Sequence, residues 1–466
     1  MKGRVRHIHF TGIGGIGMSG IAEVLHWQGF TVQGSDAAES ANVQRLRNLG
    51  IDIFIGHKAE HIGKAQVVVY SSAVAASNPE LQEAMLRGIP IIPRAEMLAE
   101  LMRMKKGIAV AGSHGKTTIT SMIAHAMGAA GLDPTYVIGG RLKATGSNAH
   151  LGESDYLLAE ADESDGSFLR LTPIIAVVSN IDPEHLDYYG DFDHLLAAFQ
   201  QFVNLAPFYG RVVLNHEHPH VAALREGLHR PVTTYGCSPQ ADLHLAGVEA
   251  EGVGQRIAVA KAGGEALGEF FLPMPGLHNA ENALAAIAVL RELGLGFTAI
   301  CEAFASFSGI ERRFQSVELG NGFIVDDYAH HPQEIRCTLA AARSIWPDRS
   351  IEAIFQPHRY TRSRDLMDEF MGAFDDADRV DVLPIYAASE EPIEGVSAEA
   401  MVASMRARGH RSVQACAGLG QARNLAIEAA GNGAVVLLMG AGSIGGLAAD
   451  LRQEVEHQQS VAGVVA

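Results

Sequence analysis

The chain has 466 residues, 47% of them hydrophobic and 50 of them glycine, and this length predicts two to four compact domains. Its 36 basic and 53 acidic residues give a net charge of −17, which argues against binding of nucleic acids. The four cysteines are widely spaced, which indicates a reducing compartment. No apolar run reaches the roughly 20 residues of a membrane span, and the first residues do not resemble a signal peptide. We therefore expect a cytoplasmic protein.

The first part of the chain alternates strand and helix patterns. Strand-like runs at 5–10, 31–36 and 66–74 are separated by helical patterns, and this βαβ rhythm predicts a parallel sheet. Residues 89–102 contain two prolines followed by a helical pattern, which indicates a hinge before a new domain. We assign residues 1–103 to a Rossmann-like N-terminal domain.

Two further α/β blocks follow, and we assign them to residues 104–309 and 310–466. Between about 237 and 275 the chain is glycine-rich with short alternating runs, which predicts a small antiparallel excursion in the central block. Apolar runs predict four strands in each block, at 107–111, 156–160, 174–180, 211–215, 322–329, 350–357, 379–388 and 433–446.

A glycine-rich turn, GIGGIG, joins the first predicted strand to a helix. Glycines permit the tight turn, a diphosphate can bind at the helix N-terminus, and an acid at the end of the next strand completes the Rossmann fingerprint. Dinucleotides and other diphosphate nucleotides satisfy the same physics, and a turn that only packs helix on strand is the alternative. The candidate binding residues are Gly12, Gly14, Gly15, Ile16, Gly17 and Asp36.

A second turn, GSHGKTT at residues 112–118, also lies between an apolar strand and a helix. Its backbone amides and the Lys116 ammonium can hold ATP phosphates, and the Thr117 hydroxyl can reach Mg²⁺. Val110 occupies the position of the first glycine of the Walker pattern. The predicted fold class is therefore α/β with three domains, in which a P-loop-type ATPase domain lies between two Rossmann-like domains.

Polar residues follow the neighbouring strands of the central block. Glu160 ends one predicted strand, and His185 follows another in the run IDPEHLD. Because ligands bind at the carboxyl ends of parallel strands, we expect these side chains to converge with Lys116 and Thr117 on a phosphate and metal site. A solvated acidic turn and an ordinary loop histidine are the alternatives.

The third block carries a cationic cluster rich in histidine. His330 and His331 follow one apolar strand, and His358, Arg359 and Arg362 follow another. Arginine binds carboxylates in bidentate fashion, so the cluster indicates an anionic substrate, with ordinary surface charge as the alternative. A zinc site is not favoured, because the histidines are adjacent and lack the usual ligand spacing.

The motifs together resemble the Mur ligases. They occur in the family's order along nearly the whole chain: HFTGIGGIGMSGIAE, SSAV, GSHGKTT, EADESD, NIDPEHLDYYG, GLHNAENALAA, GIERRF, VDDYAHHP, FQPHRYTR and GAGSIG. The resemblance implies an ATP-dependent ligase of peptidoglycan synthesis that joins L-alanine to the lactyl carboxylate of UDP-N-acetylmuramate. It also implies that the first turn holds the UDP diphosphate and the second holds ATP with one or two Mg²⁺ ions, in a monomer or homodimer.

The resemblance implies a role for individual residues. Lys116, Glu160, His185, His330 and Arg359 would be catalytic, with Thr117, Glu160 and His185 as metal ligands. The ATP-binding residues would be Gly112, Ser113, His114, Gly115, Lys116, Thr117, Thr118, His278, Asn279, Asn282, Arg313 (or Arg312) and Asp327 (or Asp326). The uridine nucleotide would also contact Ser71 and Ser72, and L-alanine with the reacting carboxylate would contact Tyr328, His330, His358, Arg359 and Arg362.

Two positions depart from the pattern of the wider family, and several functions stay open. Ser113 replaces the usual threonine but keeps the hydroxyl, and Gln200 stands where related ligases carry a carbamylated lysine, so we expect no carbamylation. A ligase that attaches a preformed tripeptide to the same nucleotide sugar is the nearest alternative. Folylpolyglutamate synthetase would lack the first block, an NAD-dependent oxidoreductase would use only the first turn, and a scaffold would need none of the catalytic residues.

Overall fold

The structure is a computed structural model that describes residues 1, 3–71, 73–388 and 390–465. The described residues form two compact units. Of the helices in this part of the chain, none has the length and apolar character needed to cross a bilayer. The first unit comprises residues 1–247, 257–271 and 281–310, and the second comprises residues 248–256, 272–280 and the described residues from 311 onward.

The first sheet has five parallel strands in the order β3-β2-β1-β4-β5. Its strands are β1 (His7–Thr11), β2 (Thr31–Asp36), β3 (Asp52–Ile55), β4 (Val67–Tyr70) and β5 (Ile91–Pro93). The helices of this segment are α1 (Ile16–Trp27), α2 (Ala41–Asn48), α3 (Pro79–Leu86) and α4 (Arg94–Met102), with a 3₁₀ turn at Ala59–Ile62.

The second sheet has ten strands in the order β15-β14-β13-β12-β11-β10-β6-β9-β7-β8. Its strands are β6 (Lys106–Ala111), β7 (Thr135–Leu142), β8 (Ser147–His150), β9 (Tyr156–Glu160), β10 (Pro173–Val178), β11 (Arg211–Asn215), β12 (Val232–Gly236), β13 (Leu243–Glu251), β14 (Gly254–Lys261) and β15 (Ala266–Leu272). The helices are α5 (Lys116–Ala129), α6 (Leu186–Tyr189), α7 (Phe192–Asn204), α8 (Pro219–Ala223), α9 (Leu277–Glu292) and α10 (Phe297–Ala305), with a 3₁₀ turn at Ser167–Arg170.

The third sheet has six strands in the order β16-β17-β21-β18-β19-β20, and only β16 runs antiparallel to its neighbour. Its strands are β16 (Gln315–Leu319), β17 (Gly322–Asp327), β18 (Ile351–Phe355), β19 (Arg379–Val382), β20 (Val413–Ala415) and β21 (Val435–Met439). The helices are α11 (Pro332–Ile345), α12 (Tyr360–Asp365), α13 (Met367–Met371), α14 (Ala398–Arg408), α15 (Leu419–Gly431) and α16 (Ile444–Val465).

Continuous apolar runs explain why the central strands are buried on both faces. All five residues of β21 are buried, and so are the residues of β6 after its first lysine. A parallel strand covered by helices on both sides needs apolar side chains at every position rather than at alternate ones. The predicted α/β class with three domains is confirmed by three separate sheets, of which the first lies wholly in the first compact unit and the third wholly in the second; the boundaries after residues 103 and 309 stay predictions.

Three of the predicted elements differ most from the structure, and one of them is the strand predicted at 379–388, which ends at Val382. The run at 433–446 is not one strand, because Gly440 adopts a φ of +144° after β21 and α16 begins at Ile444. The predicted hinge at 89–102 contains β5, which pairs with β4 and extends the first sheet instead of leaving it.

The predicted excursion contains β13, β14 and β15, which lie together at one end of the ten-stranded order.

The hairpin formed by β7 and β8 packs against α1 of the first sheet. Asn148 Nδ2 donates to the carbonyl of Ile16 over 2.8 Å, and a Cβ added at Gly20 would lie 3.2 Å from that of Ala149. On the same hairpin, the guanidinium of Arg141 donates to Asn42 Oδ1 over 2.8 Å, and Asn42 in turn donates to the carbonyl of Gly14. The hairpin therefore holds the helix that follows the first glycine turn.

Candidate active site

The first glycine turn is closed by its own hydrogen bonds. The amides of Gly12 and Ile13 donate to the carbonyl of Ser35 at 2.8 and 3.0 Å, and the amide of Gly14 donates to Asp36 Oδ2 at 2.7 Å. A side chain at Gly14 would meet that carboxylate oxygen at 2.8 Å. Asp36 therefore supports the turn directly. The amides that a helix N-terminus offers to a phosphate come after the turn, in the first residues of α1.

A cation that the sequence reading missed lies beside the start of α1. A Cβ at Gly17 would lie 2.7 Å from Arg94 Nη1, so a larger residue there would displace this guanidinium. Arg94 Nη2 also forms an ion pair with Asp162 Oδ2 at 2.9 Å. Positive charge at a helix N-terminus favours a bound anion, and this arrangement suits the diphosphate predicted for the turn.

Ser71 and Gly15 complete the surroundings of the first turn. The amide of Ser71 donates to the carbonyl of Thr11, the last residue of β1, over 3.2 Å, and a Cβ at Gly12 would lie 3.2 Å from Ser71 Cβ. Gly15 is the N-cap of α1, and the Ile16 side chain is exposed. Ser72, the other predicted uridine contact, lies outside the described residues.

The second turn depends on glycine for both conformation and space. Gly112 and Gly115 have φ angles of +131° and +87°, which side chains rarely adopt. A Cβ at Gly115 would lie 2.6 Å from Asn282 Oδ1, so the Asn282 side chain of α9 packs on the loop itself. Thr118 is buried in the first turn of α5.

Lys116 is held by four hydrogen bonds at the start of α5. Its Nζ donates to the carbonyls of Gly112 and Ser113 at 2.5 and 3.3 Å and to both carboxylate oxygens of Glu163 at 2.8 and 2.9 Å. Burial lowers the pKa of Lys116, but the Glu163 carboxylate outweighs this effect and raises the pKa above its ordinary value. The ammonium is therefore charged and fixed at the turn, as phosphate binding requires.

The residues after β10 hold the second turn from the other side. The amide of His114 donates to Asn180 Oδ1 at 2.7 Å, and the Ser113 hydroxyl accepts from the amide of Asp182 at 2.9 Å. His114 Nε2 lies 3.3 Å from Asp182 Oδ2. The hydroxyl of Ser113 thus has a structural function in the loop, which is why serine can replace threonine there.

Thr117 and Glu160 face the same short segment of β7. The amide of Gly139 donates to Glu160 Oε1 at 2.6 Å. A Cβ at the next residue, Gly140, would lie 2.8 Å from Thr117 Cγ2. Two of the three predicted metal ligands therefore each lie against one of two consecutive glycines, and their assignment to a metal stays a prediction.

A possible metal-binding group surrounds His185. Its imidazole nitrogen and carboxylate oxygens of Glu163 and Glu184 lie within 4.8 Å of one another. His185 has a φ of +58°, a conformation uncommon outside glycine, which places its side chain at the start of α6. Glu163 is 2% exposed and was not among the predicted ligands, although it lies in the predicted acidic run.

In the second unit, aromatic and histidine rings gather after β17 and β18. The ring centroids of Tyr328 and His330 lie 5.2 Å apart, those of His330 and His358 lie 5.8 Å apart, and His358 stacks on Tyr386. Burial, reinforced by the charge of Arg362, lowers the pKa of His358 to about 4. This histidine is therefore neutral at pH 7.

Glu334 organises one side of this cluster. One of its oxygens, Oε2, accepts from the amides of His330 and His331 at 3.0 and 3.2 Å, and the other lies 3.8 Å from Arg313 Nη1. Burial lowers the pKa of His330 to about 4, although Glu334 opposes this shift. The signal in the sequence was His331-Pro-Gln-Glu334, a capping box with proline at the first helical position.

Asp327 and His278 are buried near Arg313. Asp327 accepts hydrogen bonds from the amides of Ala329 and Phe314 at 2.7 and 2.8 Å, but burial dominates and raises its pKa to about 6. Burial, then the charge of Arg313, lowers the pKa of His278 to about 4. Asp327 thus shapes the loop around it and, despite its raised pKa, is mostly ionised at pH 7.

Two predicted nucleotide contacts have structural partners of their own. Asn279 Nδ2 donates to the carbonyl of Pro275 at 2.7 Å, so this side-chain amide is tied to the segment that precedes its own helix. Arg312 lies over the Tyr328 ring at 5.0 Å and pairs with Asp326. The charge of Arg313 instead acts to lower the pKa of Asp327, against the effect of burial. Roles for these residues in binding ATP stay predictions.

Arg359 adopts a strained backbone conformation. Its φ of +70° and ψ of +139° fall in a region that is essentially restricted to glycine. Its amide donates to the carbonyl of Tyr386 at 2.8 Å, and the residue precedes α12, where its exposed guanidinium stands beside His358. Strain of this kind is characteristic of functional sites.

Arg359→Gly and Arg359→Ala both remove the guanidinium, but only alanine keeps a Cβ in the strained conformation. We expect the glycine variant to have the higher free energy of unfolding, by about 1 kcal/mol after its greater chain entropy is subtracted. Urea denaturation with matched m-values measures the difference. An alanine variant as stable as the glycine variant would show that the backbone is relaxed at this residue.

Comparison with known proteins assigns the chain to a family. Residues 7–106 match the catalytic domain of the Mur ligase family, residues 110–290 match the Mur ligase middle domain, and residues 312–442 match the glutamate ligase domain of the Mur ligases. The chain therefore belongs to the Mur ligase family, and it is an enzyme of the class that forms carbon–nitrogen bonds.

Several full-length relatives share one name. The chain is 51% identical to UDP-N-acetylmuramate–L-alanine ligase of Sorangium cellulosum (strain So ce56) over 98% of this chain and 97% of that protein. It is 53% identical to the ligase of the same name from Chelativorans sp. (strain BNC1), over 94% and 95%. The crystal structure of UDP-N-acetylmuramate-alanine ligase MurC from Thermotoga maritima matches with a TM-score of 0.82 at 30% identity, over 98% and 100%.

Proposed function

We propose that this enzyme joins L-alanine to the lactyl carboxylate of UDP-N-acetylmuramate and converts ATP to ADP and phosphate. The observation that carries the proposal is the full-length relationship to enzymes named for that reaction. Both glycine turns agree with it, because the reaction needs one site for a sugar nucleotide and one for ATP. Ligation of a preformed tripeptide is not favoured.

The chemistry explains why two nucleotides are needed. A carboxylate is a poor acyl donor, so its oxygen must become part of a better leaving group. Attack of the lactyl carboxylate on the γ-phosphorus of ATP forms an acyl phosphate and releases ADP. The amine of L-alanine then attacks the acyl carbon, loses a proton, and expels phosphate, so catalysis rests on positioning and on neutralising phosphate charge.

The residues of the second turn hold the transferred group. The ammonium of Lys116 can stabilise the negative charge of the γ-phosphoryl group. Gly112 and Gly115 have no side chains, so the backbone of the loop stays accessible to the phosphates. A divalent ion such as Mg²⁺ suits the group of Glu163, Glu184 and His185, whose ligand atoms lie within 4.8 Å of one another, and Thr117 and Glu160 stay predicted ligands. When bound, the ion supplies further neutralisation of phosphate charge.

The cluster in the second unit suits the amino acid. His330 and His358 are uncharged at neutral pH because their pKa values are near 4, so they can accept hydrogen bonds from an amine. The guanidinium groups of Arg359 and Arg362 can bind a carboxylate. The residues after β17 and β18 therefore include histidines for the amine of L-alanine and arginines for its carboxylate.

Purified enzyme should release ADP when given ATP, Mg²⁺, UDP-N-acetylmuramate and L-alanine. L-serine and glycine test the preference for the side chain, and the tripeptide tests the recycling reaction. We expect L-alanine to give the highest kcat/KM and the tripeptide to give none above background. Faster turnover with the tripeptide would overturn the assignment, and quenching of nicotinamide fluorescence without any ADP release would favour an oxidoreductase.

A further inference from the structure

A fully buried carboxylate, Glu80, lies beneath the first glycine turn. It is the second residue of α3, and its side chain is 0% exposed. Burial of an ionised carboxylate is costly unless hydrogen bonds replace its water. A charged group kept at such a cost needs an explanation in the chemistry of its surroundings.

Four side chains hydrogen-bond to the Glu80 carboxylate, and a fifth, that of His57, lies 3.7 Å from Oε1 through its Nδ1. Oε2 accepts hydrogen bonds from His9 Nε2 at 2.8 Å, from Thr11 Oγ1 at 2.8 Å and from Ser35 Oγ at 2.7 Å. The other oxygen, Oε1, lies 3.2 Å from His61 Nδ1. Among the described residues no lysine or arginine pairs with Glu80, so hydroxyl and imidazole groups alone satisfy it.

The network favours the ionised form of Glu80. Burial raises the pKa of this carboxyl, but the hydrogen bonds from His9, Ser35 and Thr11 outweigh burial and lower the pKa to about 2. The carboxylate is therefore charged at neutral pH, and its hydrogen bonds are of the stronger, charge-assisted kind. Such bonds fix the positions of the groups that donate them.

The two hydroxyl donors are the residues that support the first turn through their backbone. Ser35 accepts the amides of Gly12 and Ile13 and directly precedes Asp36, whose carboxylate accepts the amide of Gly14. Thr11 directly precedes Gly12, and its carbonyl accepts the amide of Ser71. One carboxylate thus ties together the ends of β1 and β2 on which the turn is built.

We propose that Glu80 is a positioning residue for the sugar-nucleotide site, acting through Thr11 and Ser35 to set the geometry of the glycine turn. The proposal rests on the proposed function, because it names the ligand of the turn as UDP-N-acetylmuramate. Glu80 is too deeply buried to contact that ligand. Substitution of Glu80 should therefore weaken binding of the sugar nucleotide through the turn and leave ATP binding at the other turn unchanged.

The test uses Glu80→Gln, which keeps the shape of the side chain and removes its charge. We expect the Kd for UDP-N-acetylmuramate, measured by calorimetry without ATP, to rise about tenfold or more because charge-assisted bonds are lost. The KM for ATP should stay within about twofold and kcat at saturation within about threefold. A general loss of structure would not separate the two substrates in this way.

Two matched variants give the controls. Thr11→Val removes the hydroxyl and keeps the shape, and we expect a rise of about threefold or more in the same Kd; Thr11→Ser keeps the hydroxyl and should restore near-wild-type binding. Val68→Ala removes buried apolar atoms from the cluster that β4 forms with Leu81 and Ala84 of α3. It should lower the melting temperature without changing the Kd.

The outcomes separate this proposal from the proposed function. Wild-type enzyme that neither binds nor turns over UDP-N-acetylmuramate would overturn both. If the wild type is active and folded Glu80→Gln binds the sugar nucleotide normally, only the positioning proposal fails. If Glu80→Gln does not fold, equal binding by Thr11→Val and Thr11→Ser would overturn the proposal, and weaker binding by Thr11→Val alone would support it.

Discussion

Replacing Lys116 with alanine is expected to lower the rate of ADP formation by about 100- to 1,000-fold, since a fixed cation at the transferred phosphoryl group is lost. Binding of UDP-N-acetylmuramate should stay within about threefold of wild type, because we predict that the sugar nucleotide binds at the other glycine turn. Coupled detection of ADP gives the rate, and calorimetry gives the affinity. Loss of sugar-nucleotide binding in a folded variant would contradict the separate assignment of the two turns.

The Lys116–Glu163 ion pair makes a control for folding necessary. Lys116→Ala leaves the Glu163 carboxylate buried without its partner, and this costs about 3 kcal/mol of stability. The double variant Lys116→Met with Glu163→Gln removes both charges, and we expect it to recover most of the stability but none of the turnover. A double variant that regained activity would show that Lys116 has only a structural function.

Gly115→Ala is expected to lower ATP-dependent turnover by roughly 100-fold, because displacement of a catalytic group by about 1 Å has an effect of that size. The added Cβ would occupy a residue with a φ of +87° and would lie 2.6 Å from Asn282 Oδ1. Either the Asn282 side chain or the loop that positions Lys116 must therefore move, and the left-handed φ strains the loop in both cases. Steady-state kinetics with varied ATP measure the change in kcat and KM.

Gly128→Ala is the matched control for Gly115→Ala. Gly128 lies near the other end of α5, and a Cβ there would meet nothing within 4 Å. Alanine in a helix interior stabilises by about 0.5–1 kcal/mol relative to glycine, so this variant should be more stable and fully active. Equal activity of the two variants would mean that the loop around Gly115 tolerates the displacement.

The two glycine turns could be predicted because their chemistry is local. A strand, a few glycines and a helix follow one another directly in the chain, and the left-handed conformation of Gly115 requires glycine at that residue. The strand pattern was similarly readable, since buried parallel strands are continuous apolar runs such as β6 and β21. The end of a strand was less predictable, and Gly440 shows that one glycine can separate strand from helix within an apolar run.

The partners of the predicted residues could not be read from the sequence. The acidic run EADESD contains four acids, and only the structure shows that Glu163 faces Lys116 while Asp162 faces Arg94. These choices depend on how the chain turns after β9, which pattern and propensity do not specify. Glu334 is the exception, because its capping spacing was visible in the sequence and its link to Arg313 was not.

The hairpin of β7 and β8 covers α1, and this contact affects how inhibitors of the enzyme can be sought. A fragment that ended after residue 103 would keep the first glycine turn but would lose Asn148, which holds the Ile16 carbonyl, and Arg141, which holds Asn42. The apolar surface around Gly20 would then face water. Small-molecule screening against the sugar-nucleotide site therefore calls for the intact enzyme, since an excised lobe would present a differently shaped target.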